Sequence, residues 1–257
     1  MTLHSIKKSG SVRESVSAEE WNARVELAAC YRLMAHFGVS DLTYNHLSAR
    51  VPGEPDRLLL KPRDFMFEEI TASSLHKFDF DGNPFQEGPR NVGGGYVIHA
   101  GILQARPDLN AVFHTHTTAN MGVSSQKHGL LMINQHAVGF YNRIAYHDFS
   151  GFEFNLDQRE PLIKSLGEKN VALLRNHGAL VCGRSIRQTF VDNHYLEMAC
   201  RGQIAALAGG TEVTLIPDHV CEVGAEQYSK IDPKQAGGKD WGACLRLLER
   251  LYPDYKD

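Results

Sequence analysis

Ala111-Val112-Phe113-His114-Thr115-His116 is an apolar run that closes on two histidines, and it reads as a buried β-strand ending at a site. Side chains two apart on a strand project from the same face, so the two imidazoles are expected to point into one space. A pair of neutral imidazoles is half of a zinc, iron or copper site. Three histidines plus an open position form a recurrent catalytic arrangement.

A third histidine stands in Val171-Ala-Leu-Leu-Arg-Asn-His177-Gly178-Ala-Leu-Val-Cys-Gly183, two apolar runs broken by Asn-His-Gly. That pattern is a strand pair with polar groups held at its tip. A histidine at such a tip can reach the end of a neighbouring strand.

The chain has 257 residues, 42% hydrophobic and 22% charged, which suits a soluble globular chain with an ample core and one large domain rather than two. A net charge of −3 with no concentrated Lys/Arg run argues against nucleic acid as the partner. The opening residues lack the apolar core of a signal peptide, and no stretch reaches the length of a membrane-spanning helix, so the expectation is a cytoplasmic protein without membrane contact. Five cysteines without a Cys-x-x-Cys pair point to reduced thiols; Cys30, Cys182 and Cys200 read as small buried hydrophobes.

Three segments are expected: a polar leader over 1–16, a main domain over 17–210 and a C-terminal extension over 211–257. Ser17 to Glu20 has the form of a capping box, followed by Trp21, Val25, Ala28, Ala29 and Met34 at helical spacing up to Gly38. Strands are expected at Arg57–Lys61 and Leu75–Phe80 and a helix over Tyr96–Arg106, stopped by Pro107. Ser185 and Gln188 open a second long helix through about Leu207, ended by Gly209-Gly210, and Trp241–Leu251 resumes helical spacing, to pack on this chain or a neighbouring subunit. Interleaved strands and helices make a layered α/β fold.

At this point the chain resembles the class II aldolase and adducin head-domain family. The resemblance is carried by Tyr44-Asn-His-Leu-Ser-Ala-Arg-Val-Pro-Gly53, Glu69-Ile-Thr-Ala-Ser-Ser74, His99, Ala105-Arg-Pro-Asp108, His114-Thr-His116, Tyr146-His147-Asp148 and Arg175-Asn-His-Gly178. It implies a three-layer α/β/α sandwich around a mixed, largely antiparallel sheet, assembled as a homotetramer with sites at subunit borders. It also implies a divalent metal, Zn2+ first and Fe2+ as the alternative, held by His114, His116 and His177. The substrate-binding positions it implies are Asn45, His46, Lys61, Arg63, Gly94 and Gly95.

Two departures from that family bear on chemistry. The aldolases carry an acid/base glutamate four residues before the position of His99, where this chain has Gly95, which has no proton to give. The candidates for that missing role are His99, Tyr141 and Glu197, with His136 and Tyr146 beside them. The purely structural alternatives are a packing hydrogen bond for His99, core aromatics for the tyrosines and a solvated face for Glu197. The second departure is at the phosphate pocket, where Lys61-Pro62-Arg63-Asp64 and Gly93-Gly94 replace hydroxyl residues. Asp64 would repel a phosphate, with Lys61 and Arg63 offsetting it.

The leading expectation is therefore a metal-dependent, aldolase-like lyase acting on a small, non-phosphorylated hydroxy- or oxo-carbonyl compound. A non-haem iron oxygenase or decarboxylase of an oxo acid uses the same three histidines with another metal. A non-catalytic, adducin-like scaffold is the third reading.

Overall fold

The computed structural model describes residues 11–86, 93–151, 156–230 and 238–257. Of the expected leader, residues 1–10 lie outside the described residues, and Val12–Ser15 forms one helical turn, α1. In chain order follow α2 (Ala18–His36), β1 (His46–Val51), β2 (Glu54–Leu60), β3 (His76–Asp79), α3 (Gly94–Ala105), β4 (Ala111–Thr115), α4 (Thr118–Ser124) and α5 (Gln135–Val138). The second half adds β5 (Ile144–His147), α6 (Arg159–Leu166), β6 (Val171–Leu174), β7 (Gly178–Gly183), α7 (Ile186–Leu207), α8 (Asp218–Ser229) and α9 (Gly238–Leu251).

The strands form one seven-stranded sheet in the order β3-β2-β1-β4-β7-β6-β5. The neighbours are antiparallel except β5 and β6, which run parallel, so the sheet is mixed and largely antiparallel as expected. Alternation along each strand divides the core into two sides. Leu47, Ala49, Leu59, Ala111 and Phe113 face α2, whose Leu27, Tyr31 and Leu33 are fully buried. Leu58, Leu60, Val112, Ala172 and Leu180 face the other way, onto Ile102 and Leu103 of α3 and Leu162 and Leu166 of α6. Val171, Leu173, Ala179 and Val181 meet Val123 of α4 and Leu196, Ala199 and Cys200 of α7. Helices on both faces of one sheet give the α/β/α sandwich.

Ser17 caps α2 by accepting from the Glu20 N–H at 3.1 Å, and Ser185 does the same for α7 with the Gln188 N–H at 3.3 Å. In the C-terminal extension, Trp241 and Leu248 of α9 are buried in the core that α2 shares with the sheet, so α9 packs on its own domain. All five cysteines are free thiols. Among the described residues no helix is long and apolar enough to cross a membrane.

One contact sets the position of β1 relative to α2. The Tyr31 hydroxyl accepts from the Leu47 N–H at 2.9 Å and donates to the Leu47 carbonyl, taking up both backbone groups of a residue that β2 does not pair. Removing that hydroxyl strands a buried donor and a buried acceptor, and each such group costs about 1–3 kcal/mol. Tyr31→Phe is therefore expected to lower stability by about 2 kcal/mol, seen as a reduced urea midpoint at unchanged slope. An unshifted midpoint would show that the bond contributes nothing net.

Candidate metal centre

Three neighbouring strands and one hairpin bring the histidines together. On β4, His114 lies opposite His46 of β1 on one side and Leu180 of β7 on the other. His116 stands one residue beyond the end of β4, held by its own N–H, which donates to the buried Asn45 Oδ1 at 2.8 Å. His177 sits in the bend between β6 and β7. Asn176 takes a left-handed φ of 58° there, which asparagine tolerates, and the His177 N–H donates to the Leu174 carbonyl at 3.0 Å. The bend lies against β4 because the next residue is glycine: a Cβ at Gly178 would stand 2.5 Å from the Thr115 carbonyl oxygen and 3.0 Å from His116 Cδ2.

The result is a triangle of ring nitrogens. His114 Nε2 lies 2.8 Å from His116 Nε2 and 3.3 Å from His177 Nε2, and the last two are 3.0 Å apart. His114 Nδ1 is 3.0 Å from the Ala179 carbonyl, which can only accept, so that nitrogen carries the proton and Nε2 presents a lone pair. His116 Nδ1 is 3.2 Å from the Asp41 carboxylate, which fixes the same tautomer. Two lone pairs aimed at each other across 2.8 Å repel unless positive charge lies between them. Nitrogens bound tetrahedrally at about 2.0–2.1 Å from zinc would stand roughly 3.3–3.4 Å apart, so a small outward relaxation fits the triangle to such an ion. Burial also pushes the His114 pKa well below its ordinary value, with the neighbouring imidazoles acting in the same direction, which keeps the ring in its neutral, ligating form.

Beside the triangle stands a second group. The His46 ring lies 5.0 Å from the His114 ring, centroid to centroid, and its Nδ1 is 2.7 Å from His99 Nε2. His99, on α3, is fully buried, and its Nδ1 is 2.5 Å from the Ser48 hydroxyl. Desolvation holds both rings neutral, His46 well below the usual range and His99 down to about 3. Gly93, Gly94 and Gly95 open α3 over this group without any side chain.

Several expected site residues have other tasks. Lys61 is buried and its ammonium donates to the carbonyls of Phe65, Pro62 and Arg63 at 2.8, 3.2 and 3.4 Å, so its three N–H groups brace a turn while its charge still feels Asp64. Arg63 and Asp64 are exposed. Glu197 is buried, not solvated; it accepts from Thr117 Oγ1 at 2.5 Å and from Arg201 Nε at 2.7 Å, anchoring the residue after His116. Tyr141 faces Asp218 and Glu222 of α8, and His136 stacks on Tyr195 at 4.9 Å. Tyr146 accepts from the Leu130 N–H at 3.1 Å, and Arg175 lies over its ring. A cavity of about 510 Å³ opens at the other end of β6 and contains none of the three histidines.

Sequence reasoning missed Asp41, which sets the His116 tautomer, and Ser48, which closes the His46–His99 pair. The alternation of His46 and Ser48 on β1 places both on one face and was a readable signal.

Residues 25–204 match the family model described as Class II Aldolase and Adducin N-terminal domain. The chain belongs to this family. A Caulobacter vibrioides protein assigned to aldolase class 2 is 38% identical over 248 residues, 96% of each chain. Alpha-adducin of Rattus norvegicus is 36% identical over 243 residues, covering 89% of this chain and 33% of that protein. Among solved structures, an aldolase II superfamily protein from Pseudomonas syringae aligns with a TM-score of 0.91 at 44% identity, over 96% of this chain and 100% of that one. The L-fuculose 1-phosphate aldolase of Glaciozyma antarctica shares the fold at a TM-score of 0.82 and 24% identity, over 97% of this chain and 96% of that one. The family's two named branches, aldolase and adducin, are thus both close to this chain, and the site residues must separate them.

Proposed function

We propose that this member of the family is a metal-dependent lyase, with one divalent ion per subunit held by His114, His116 and His177. The observation that carries the reading is the triangle of three Nε2 atoms, none more than 3.3 Å from another, with two tautomers fixed by acceptors behind the rings. Bound there, the ion supplies Lewis acidity toward a carbonyl oxygen, lowering the cost of negative charge that develops as a neighbouring C–C or C–H bond breaks.

The chain's own residues do the rest. Ala179 and Asp41 hold the rings in their ligating tautomers, and Glu197, through Thr117, fixes the chain just after His116. The start of α3 offers backbone N–H groups to an anionic or polar end of a substrate, with no side chain at Gly93, Gly94 or Gly95 to block the approach. Asn45 carries a buried Nδ2 without a partner among the described residues, a spare donor beside His116. Zinc is favoured over iron because the group of converging ligands contains no carboxylate, whereas oxygen-activating iron sites pair two histidines with one. A scaffold with no chemistry would have no need of three imidazoles in fixed ligating tautomers.

The substrate class is a small hydroxy- or oxo-carbonyl compound without phosphate. Lys61 is turned into its own loop, and of the exposed pair that follows it Arg63 stands beside Asp64, whose charge has the phosphate's own sign and offsets the pull of Arg63 on a phosphate. L-Fuculose 1-phosphate is expected to be cleaved at below about 1 per second, short of ordinary enzymatic turnover, in a coupled aldehyde assay. Faster cleavage would overturn the exclusion of phosphate. The lyase reading itself is tested by loading the protein with zinc and following deuterium uptake at carbon in dihydroxyacetone and hydroxypyruvate by proton NMR. Zinc-dependent uptake supports it; stoichiometric zinc with no uptake from either probe overturns it.

A further inference from the structure

Position 95 and residue 46 compete for one space. A Cβ built on Gly95 would lie 2.5 Å from His46 Cδ2, 2.6 Å from its Nε2 and 2.9 Å from its Cγ, all inside van der Waals contact. The ring cannot swing away cheaply, because Nδ1 is tied to His99 at 2.7 Å and His99 is tied in turn to Ser48 at 2.5 Å. The imidazole therefore fills the volume that a side chain at 95 would need, next to His114 and at the open end of α3.

The tie has two proton arrangements. In one, the Ser48 hydroxyl turns to the Val112 carbonyl, 3.5 Å away, His99 Nδ1–H donates to Ser48, and His46 Nδ1–H donates to His99 Nε2, leaving His46 Nε2 as a bare lone pair. In the other, Ser48 donates to His99 Nδ1, His99 Nε2–H donates to His46 Nδ1, and His46 Nε2 carries the proton. His46 keeps part of its surface exposed, and its Nε2 has no hydrogen bond within the described residues. The same ring is thus a base in one arrangement and an acid in the other. Both hold the same number of protons, so a proton taken at Nε2 gives the imidazolium, held through its Nδ1–H on His99 until the proton is returned.

We propose that His46 is the proton-transfer residue of this site, with His99 and Ser48 as the residues that position it, and that Gly95 is glycine because the ring stands there. The assignment rests on the lyase reading above. On a β-hydroxy carbonyl compound, His46 Nε2 takes the hydroxyl proton, and the O–H electron pair becomes the π bond of the departing carbonyl. The bond between the α and β carbons breaks, its pair moves onto the remaining carbonyl as an enolate, and the proton returns to the α carbon. Atoms and charge balance without an oxidant or reductant.

The test compares zinc-loaded wild type with His46→Gln, which keeps a hydrogen-bonding side chain but carries no mobile proton, using dihydroxyacetone in D2O. The expected result is an exchange rate about 100-fold lower or less, with one zinc per subunit retained. Exchange at the wild-type rate overturns the assignment while leaving the lyase reading intact. Loss of zinc together with exchange also overturns it, since His46 would then serve the ion. A silent wild type marks the failure of the lyase reading itself. Ser48→Ala should reduce saturated exchange about tenfold at an unchanged half-saturating concentration; a changed half-saturation with an unchanged limiting rate refutes the positioning role. The shared space is tested without activity: Gly95→Ala should lower the melting midpoint by about 5 °C, and adding His46→Gly should recover it. An unshifted midpoint, or no recovery, refutes the competition for space.

Discussion

His177→Ala is expected to leave the protein with far less than one zinc per subunit after equilibration and desalting, where wild type retains about one. Losing a group that merely orients a ligand costs about 10–100-fold in metal affinity, so losing one of three ligands should exceed that range. Asp41→Asn supplies the comparison, because it keeps His116 in place and weakens only the acceptor behind its Nδ1. The folding readout should follow the metal. With free zinc at about 100 times the dissociation constant, wild type gains about 2.7 kcal/mol, a gain that His177→Ala should forfeit. Thermal melts with zinc and with a chelator measure both, and apo forms of the two proteins should melt close together. Stoichiometric zinc bound to His177→Ala at wild-type affinity would remove the metal assignment and the lyase reading built on it.

Local pattern carried the sequence analysis a long way toward the fold. Ser17 and Ser185 sit at the N-caps of α2 and α7, and the runs expected as strands at 57–61, 75–80, 111–116 and 171–183 coincide, within a few residues, with β2, β3, β4 and the β6–β7 pair. The finer capping assignment failed in both helices for one physical reason, that a better partner was within reach. Glu20 turns its carboxylate to Arg24 and Lys77, and Gln188 turns its amide to Asp192, instead of reaching back to the cap. His116 was read as part of the strand, whereas β4 ends at Thr115 and Asn45 holds the next residue. The three converging histidines were legible because each lies at the end of an apolar run. The bracing role of Lys61 was not legible because nothing local shows the chain turning back so that its own carbonyls surround the ammonium. What fills the space at Gly95 was invisible for the same reason: it depends on α3 crossing β1, a contact between residues about fifty apart in the chain.

That dependence on close backbone approach makes Gly178 the most exacting position of the metal centre. A Cβ there meets the Thr115 carbonyl, which is main chain and cannot rotate aside, so β7 and the His177 bend must move away from β4. Overpacking of this kind costs about 1–3 kcal/mol, which for a domain of this size is a melting shift of about 5 °C. The functional loss should be larger than the stability loss. Displacing β7 and the bend by a few tenths of an ångström pulls His177 from His114 and from His116, which Asn45 holds, and draws the Ala179 carbonyl from behind His114, so zinc affinity should fall by about 10-fold or more. Gly209→Ala is the control, since its nearest neighbour would lie at an ordinary 3.9 Å. Matched titrations of the two variants with a zinc-competing chelator decide the matter. Equal affinities would mean that the hairpin absorbs the strain without moving its histidine, and that the tight packing of Gly178 serves the sheet alone.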